Sequence, residues 1–376
     1  MVTRILLGLL TVFAIARAEA ADTPKQALDA ATKVLSSHTD GFYLDHKAGA
    51  ETALDNFRTA AQRWAVAYLD AHPKAAPSAL KAAAEAMDRE LSITFTPLAP
   101  ELMAVSASYG ELGNVFLLAK QGTHYAVVWD IRKTGPDTAR DNGWGAMAAF
   151  GDGCGRCCDC RALYGDVYAL PPDAAGHIRF YIDGGYAQPA GATRGAEISI
   201  WAWDGKAAKA LFKGDYVSVA DDLPIVEAKD DTILVHPKTQ YRMFYACGAC
   251  SGRKLTWTLK LTGDGVRDLG KRVDLPEADA VDEVFLRLWQ GKGASALAAP
   301  KVLEKMAAIV AETKKSASDP NDPNLGMLSG IDVKRNGDRA TLTYDTAVAA
   351  APKMVATVLH KKSGYYLEAF DFSLKN

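Results

Sequence analysis

Apolar positions along the chain change their period twice. From about residue 22 to 90 they recur at helical steps, and Leu54, Phe57, Ala61, Trp64 and Tyr68 fall on one stripe. Pro73 and Pro77 interrupt that zone, and Ala79 to Leu91 resumes the helical pattern. With a shorter helix ahead of it, the zone predicts an N-terminal helical hairpin. A stripe of that width buries itself against a core, so its aromatic residues read as packing rather than as a ligand groove.

From about residue 104 to 273 the period shortens to two. Ile198 to Trp203 alternates in the manner of a half-buried strand, and Asp204-Gly205 supplies a hairpin turn. Leu255 to Leu261 alternates again, and Gly263-Asp264-Gly265 turns it back. The zone repeats itself in three stretches, starting at Val105, Phe180 and Met243. Each has a strand, a glycine turn (Gly110, Gly185, Gly248), a strand, a polar turn and a strand. Beyond it, Val281 to Trp289 and Val302 to Val310 read as amphipathic helices. A polar, proline-containing loop (316–324) follows, and then four strand signals near 330–335, 340–345, 354–360 and 365–372.

The expected fold class is therefore α+β multidomain. It comprises an N-terminal helical hairpin (21–100), a central antiparallel β domain of three related units (101–275) and C-terminal helices plus an antiparallel sheet (276–376). The three units resemble β-propeller blades. Three are fewer than the usual minimum of four, so the expectation is a compact antiparallel domain. The order of elements after residue 276 resembles the small NTF2-like or cystatin-like domains. Their members range from enzymes to binding modules, so the resemblance implies a fold and no residue role.

The first twenty residues stand apart. Met1 to Arg4 is a basic start, Ile5 to Ala16 an apolar run, and Ala18-Glu19-Ala20 an A-x-A cleavage signal. This pattern predicts a signal peptide over residues 1–20 and a periplasmic or secreted protein. No later stretch of the sequence is long and apolar enough for a membrane span. Lys+Arg is 43 against Asp+Glu 45, a net charge of −2, which gives no global basic excess for nucleic acid.

Export changes how the six cysteines are read. Cys154, Cys157, Cys158 and Cys160 form one cluster, and Cys247 and Cys250 a second. An even number in an oxidising compartment points to structural disulfides, with fifteen possible pairings. Two C-x-x-C pairs, Cys154/Cys157 and Cys247/Cys250, also match a tetrahedral zinc site, and Cys158 and Cys160 would suit Cu(I). Both pairs are C-G-x-C, the spacing of thioredoxin-type dithiols, although a strand pattern rather than a helix follows Cys250. No cofactor beyond that zinc or copper is implied.

Other chemistry is sparse. The sequence lacks H-E-x-x-H, a nucleophile elbow and a phosphate-binding loop. Asp264 to Asp268 is a fragment of a calcium-type loop that a hairpin turn explains better. Trp201 and Trp203 share one strand face, a sheet core before it is a sugar platform. The expected role is a non-catalytic binding or cell-envelope protein with a disulfide-stapled β domain, its ligand or envelope partner unnamed. Cysteine-based metal handling and a C-G-x-C redox enzyme are the alternatives.

Overall fold

The structure is a computed structural model. It describes residues 23–39, 47–110, 112–133, 164–187, 193–219, 225–239, 241–246, 253–316, 325–346 and 353–373. These form an α+β chain of helices near both ends and four sheets between and after them. The chain divides into two compact units. The first holds the residues up to Pro172 with Gly176–Tyr186 and Ile198–Lys213. The second holds Asp173–Ala175, Ala187–Glu197 and the residues from Gly214 onward. The expected leader (1–20) and all six cysteines lie outside the described residues.

The first unit opens on helix α1 (Pro24–Ser36). Its start is fixed by a capping box. The Gln26 amide donates to Thr23 Oγ1 at 3.3 Å, and the Thr23 amide donates to Gln26 Oε1 at 2.8 Å. Helix α2 (Ala50–Ala71) carries the expected stripe, with Leu54, Phe57, Ala61 and Trp64 buried. Tyr68 is half-buried, and its hydroxyl donates to the Ala79 carbonyl at 3.3 Å. Helix α3 (Pro77–Glu85) stops at Glu85 rather than continuing to Leu91. The reason is local: Leu91, Ile93 and Phe95 take up a period of two and start a strand.

That strand, β1 (Leu91–Ala99), leads an antiparallel meander with β2 (Leu102–Tyr109), β3 (Leu112–Gln121) and β4 (His124–Asp130). One face packs on the helices: Leu91, Ile93, Val105, Leu112 and Phe116 meet Leu28, Phe57, Trp64 and Leu80 in one core. The other face meets a second meander, β5 (Tyr164–Leu170), β6 (Ile178–Ala187), β7 (Thr193–Trp203) and β8 (Ala208–Val219). There Ala104, Val115, Leu117 and Trp129 pack with Val167, Phe180, Ile182, Trp201 and Trp203. Strand β3 is covered on both sides, so Leu112 to Leu118 is buried without alternation. Trp201 and Trp203 belong to this core, and Trp129 meets Trp201 edge-on at 5.0 Å.

In the second unit the third meander is built from β9 (Ile225–Lys229), β10 (Thr232–His236), β13 (Arg253–Leu261) and β14 (Val266–Val273). Between β10 and β13 lie β11 (Lys238–Thr239), which also pairs with β13, and β12 (Tyr245–Ala246). This differs from the repeat expected to start at Met243. Strand β12 pairs in parallel with β15 (Met327–Asn336), in another sheet. The third unit takes its first two strands from upstream instead. Asp230-Asp231 makes their two-residue hairpin loop, with Asp230 at φ 55°.

Helices α4 (Pro276–Trp289) and α5 (Pro300–Ser316) then cover a sheet of β12, β15, β16 (Arg339–Thr346), β17 (Lys353–Lys361) and β18 (Gly364–Ser373). Val281, Phe285, Val302 and Met306 pack with Leu342, Ala356, Val358 and Phe370. The expected two helices and four strands are all present, each longer by a few residues at its ends.

Candidate functional site

Cys154, Cys157, Cys158 and Cys160 fall in the connection between β4 and β5, and Cys247 and Cys250 in the connection between β12 and β13. These positions are outside the described residues. Among the described residues no three His, Cys, Asp or Glu side chains gather as metal ligands would. No described helix is long and apolar enough to cross a membrane.

The described ionisable groups form three constellations. The first joins α2 to the end of β4. Asp130 is buried and accepts Arg132 Nη2 at 2.6 Å, Arg132 Nε at 3.0 Å and Gln62 Nε2 at 2.6 Å. Burial pushes its carboxyl up, but the Arg132 guanidinium and amide with Gln62 outweigh burial and hold it below the ordinary range. Arg132 also reaches Asp55 at 3.2 Å, while Arg58 donates to the Gly113 carbonyl at 2.9 Å. Burial, helped by the Arg132 charge, lowers the Arg58 guanidinium.

The second constellation holds the carboxylates of α4. Asp282 is buried and accepts the Met243 amide at 2.8 Å, with the Arg242 amide and Nε at 3.1 Å each. Burial nevertheless keeps its carboxyl above the ordinary value. Asp279 takes a guanidinium fork from Arg253 at 2.6 and 2.7 Å, and Glu277 one from Arg335 at 2.7 and 3.1 Å. In both constellations the carboxylates are occupied by arginine forks and backbone amides. That is the geometry of structural pairing.

The third is open. Strands β5 and β6 pair so that Asp166 lies opposite Asp183 and Tyr168 opposite Tyr181. Direct partners share a face, which puts two carboxylates and two phenols on one side of the sheet, away from the tryptophan core. Tyr181 is buried, and Tyr168, 42% exposed, stacks on it with centroids 4.6 Å apart at 17°. The Asp166 side chain reaches solvent, yet the surrounding protein desolvates its carboxyl and pushes it up against the pull of Lys81. Desolvation and the neighbouring carboxylates raise both phenols, which stay protonated donors. The result is a ring platform with the Asp166 carboxylate beside it, suited to stacking and hydrogen bonding.

The sequence offered this platform only indirectly. Asp166 and Asp183 are seventeen positions apart (183 − 166), whereas adjacent pairs such as Asp230/Asp231 stand out and prove to be a turn. The alternation Asp166-Val-Tyr168 and Tyr181-Ile-Asp183 is the signal that could have found it. Asp268, in the calcium-like fragment, accepts Trp257 Nε1 at 2.8 Å and the Gly270 amide at 2.7 Å, and so serves the turn.

No family model matches the sequence, and no curated protein does. Among solved structures, an alpha-L-arabinofuranosidase from Clostridium thermocellum matches over 76% of this chain and 74% of its own, at 8% identity and a TM-score of 0.23. The polysaccharide lyase Uly1 matches over 72% of this chain and 58% of its own, at 7% identity and a TM-score of 0.18. Likenesses this faint leave function to be argued from the residues themselves.

Proposed function

We propose that this chain is an exported, non-catalytic binding or cell-envelope protein whose β region is stapled by disulfides. The observation that carries the binding role is the face of β5 and β6 on which the exposed Tyr168 stacks on Tyr181 beside the Asp166 and Asp183 pair. It has the parts of a recognition surface, an exposed ring backed by a rigid buried one and acceptors beside it. The buried carboxylates elsewhere are held by arginine forks, which supports structural rather than catalytic duty for them. Export rests on the leader pattern of residues 1–20. Within this reading the three meanders are blade-like units and the second unit's helices and sheet an NTF2-like or cystatin-like module.

The cysteines decide between this reading and its alternatives. Intact mass of the protein taken from its native compartment, with and without reduction and thiol alkylation, is measured beside its metal content. The expected result is a chain without its leader, no alkylation before reduction, six alkylated thiols after it, and no metal. Free thiols with stoichiometric zinc or copper would replace the proposal by a metal site at Cys154, Cys157, Cys247 and Cys250. One solvent-accessible, easily reduced disulfide would replace it by dithiol redox chemistry.

A further inference from the structure

The third meander carries a charge pattern that the net charge of −2 conceals. Its register sorts side chains by face. On the inner face Ile233, Val235, Leu255, Trp257, Leu259 and Leu261 are buried. The outer face is crossed at one end by a single row: Lys229 lies opposite Thr232, Thr232 opposite Lys260, and Lys260 opposite Arg267. Towards the other end Lys238 lies opposite Lys254, and Arg272 opposite Thr256. Glu227 lies on the same face, with Asp230, Asp231, Asp264 and Asp274 at its rims; Asp231 pairs with Lys260, and Asp274 accepts the Thr256 hydroxyl at 2.9 Å. Among the described residues, Lys229, Lys254, Arg267 and Arg272 make no ion pair, and all four are exposed.

Like charges lie directly opposite one another at two places on the face, Lys238 with Lys254 and Lys260 with Arg267, the second relieved by Asp231 on Lys260. From strand geometry, the row from Lys229 to Arg267 spans about 14 Å, and Lys254 lies about 20 Å from Lys260 along β13. Two cationic bands thus lie on one face of the sheet, with Leu234 and the hydroxyls of Thr232, Thr256 and Thr258 between and beside them.

We infer that this outer face of β9, β10, β11, β13 and β14 docks an acidic polysaccharide. The bands match the spaced carboxylates or sulfates of an extended chain, and the threonines suit its hydroxyls. Nucleic acid fits less well, because none of the outer-face residues named here is aromatic and single strands bind through base stacking. A bilayer fits less well too, since Leu269 is the single exposed large apolar side chain of the edge strand. The inference rests on the export proposed above, which brings the protein to where surface polysaccharides lie.

The test uses the mature protein with polygalacturonate as probe and dextran as its neutral counterpart, by titration calorimetry at about 50 mM and about 300 mM salt. Polygalacturonate is expected to bind at low salt, to weaken at least tenfold at high salt, and to leave dextran unbound. The double variant Lys254→Glu/Arg272→Glu is expected to lose at least tenfold in affinity with no fall in Tm, while Lys74→Glu in the first unit binds as the wild type. Absence of binding at low salt, equal binding by the double variant, or tighter binding to single-stranded DNA or phosphatidylglycerol vesicles through the same residues overturns the inference. A chain found outside the cytoplasm that fails to bind overturns this inference alone. One kept inside with its leader uncut overturns the proposed function whatever it binds.

Discussion

Two buried groups set the chemistry of single residues in the first unit, and they pull in different directions. Asn114 on β3 is 2% exposed, on the same side of the strand as Leu112 and Phe116, and among the described residues neither polar atom of its side-chain amide has a hydrogen-bond partner. An orphaned buried polar group costs about 1–3 kcal/mol, and an apolar replacement of similar size removes that cost. Asn114→Val is therefore expected to raise Tm; a fall would show that the amide holds an internal water or ligand. Asp130 acts the other way. Its folded-state value lies below the ordinary 3.8, so its contribution is complete above that value and is lost as pH falls through the folded one. Asp282, held above 3.8, costs stability while charged and stops costing it as pH falls through its own folded value. Asp130→Asn should thus be less stable than the wild type at neutral pH, with the gap in Tm closing below about pH 4. A gap that does not change with pH would mean that the Arg132 and Gln62 contacts act by shape alone. None of this was legible beforehand: Asp130 ends an ordinary strand, and its partner Gln62 is sixty-eight positions away.

At the scale of elements, legibility followed the number of covered faces. Strand β13 alternates because one face is covered, and its limits could be read from Leu255 to Leu261. The α2 stripe was legible for the same reason. A strand after Met243 was expected, but the sheet that β12 joins was not legible, because its pairing with β15 is set by a partner eighty-two residues on (327 − 245). The split between faces also separates two aromatic neighbours on paired strands. Phe180 is fully buried and touches Trp129 edge-on at 6.0 Å, whereas Tyr168 is 42% exposed. Phe180→Ala is expected to cost about 3–5 kcal/mol, the range for a large aromatic cut out of a packed core. Tyr168→Ala should cost far less, and chemical denaturation of the two variants makes the comparison. Equal losses would mean that the tyrosine pair is core rather than platform.

For the whole molecule, the balance of 43 basic against 45 acidic residues made a charged binding surface invisible, because composition averages over faces that only strand register separates. The acidic ring platform of β5 and β6 and the cationic bands of the third meander are both products of pairing. Each uses residues that look like ordinary solvated positions in the sequence. The cationic bands have a consequence that binding does not test. Lys254 faces Lys238 directly across the strand pair, a like-charge contact that ordinary sheet pairing does not favour. Lys254→Glu turns that pair into an attraction, and cross-strand charge pairs are worth roughly 0.2–1 kcal/mol. The variant is expected to melt a little higher than the wild type at low salt, with the difference shrinking as salt screens the pair. Stability rising while polyanion affinity falls is the signature of a surface shaped by recognition. A variant that melts lower would show instead that Lys254 serves the sheet, and that the bands are part of what holds it together.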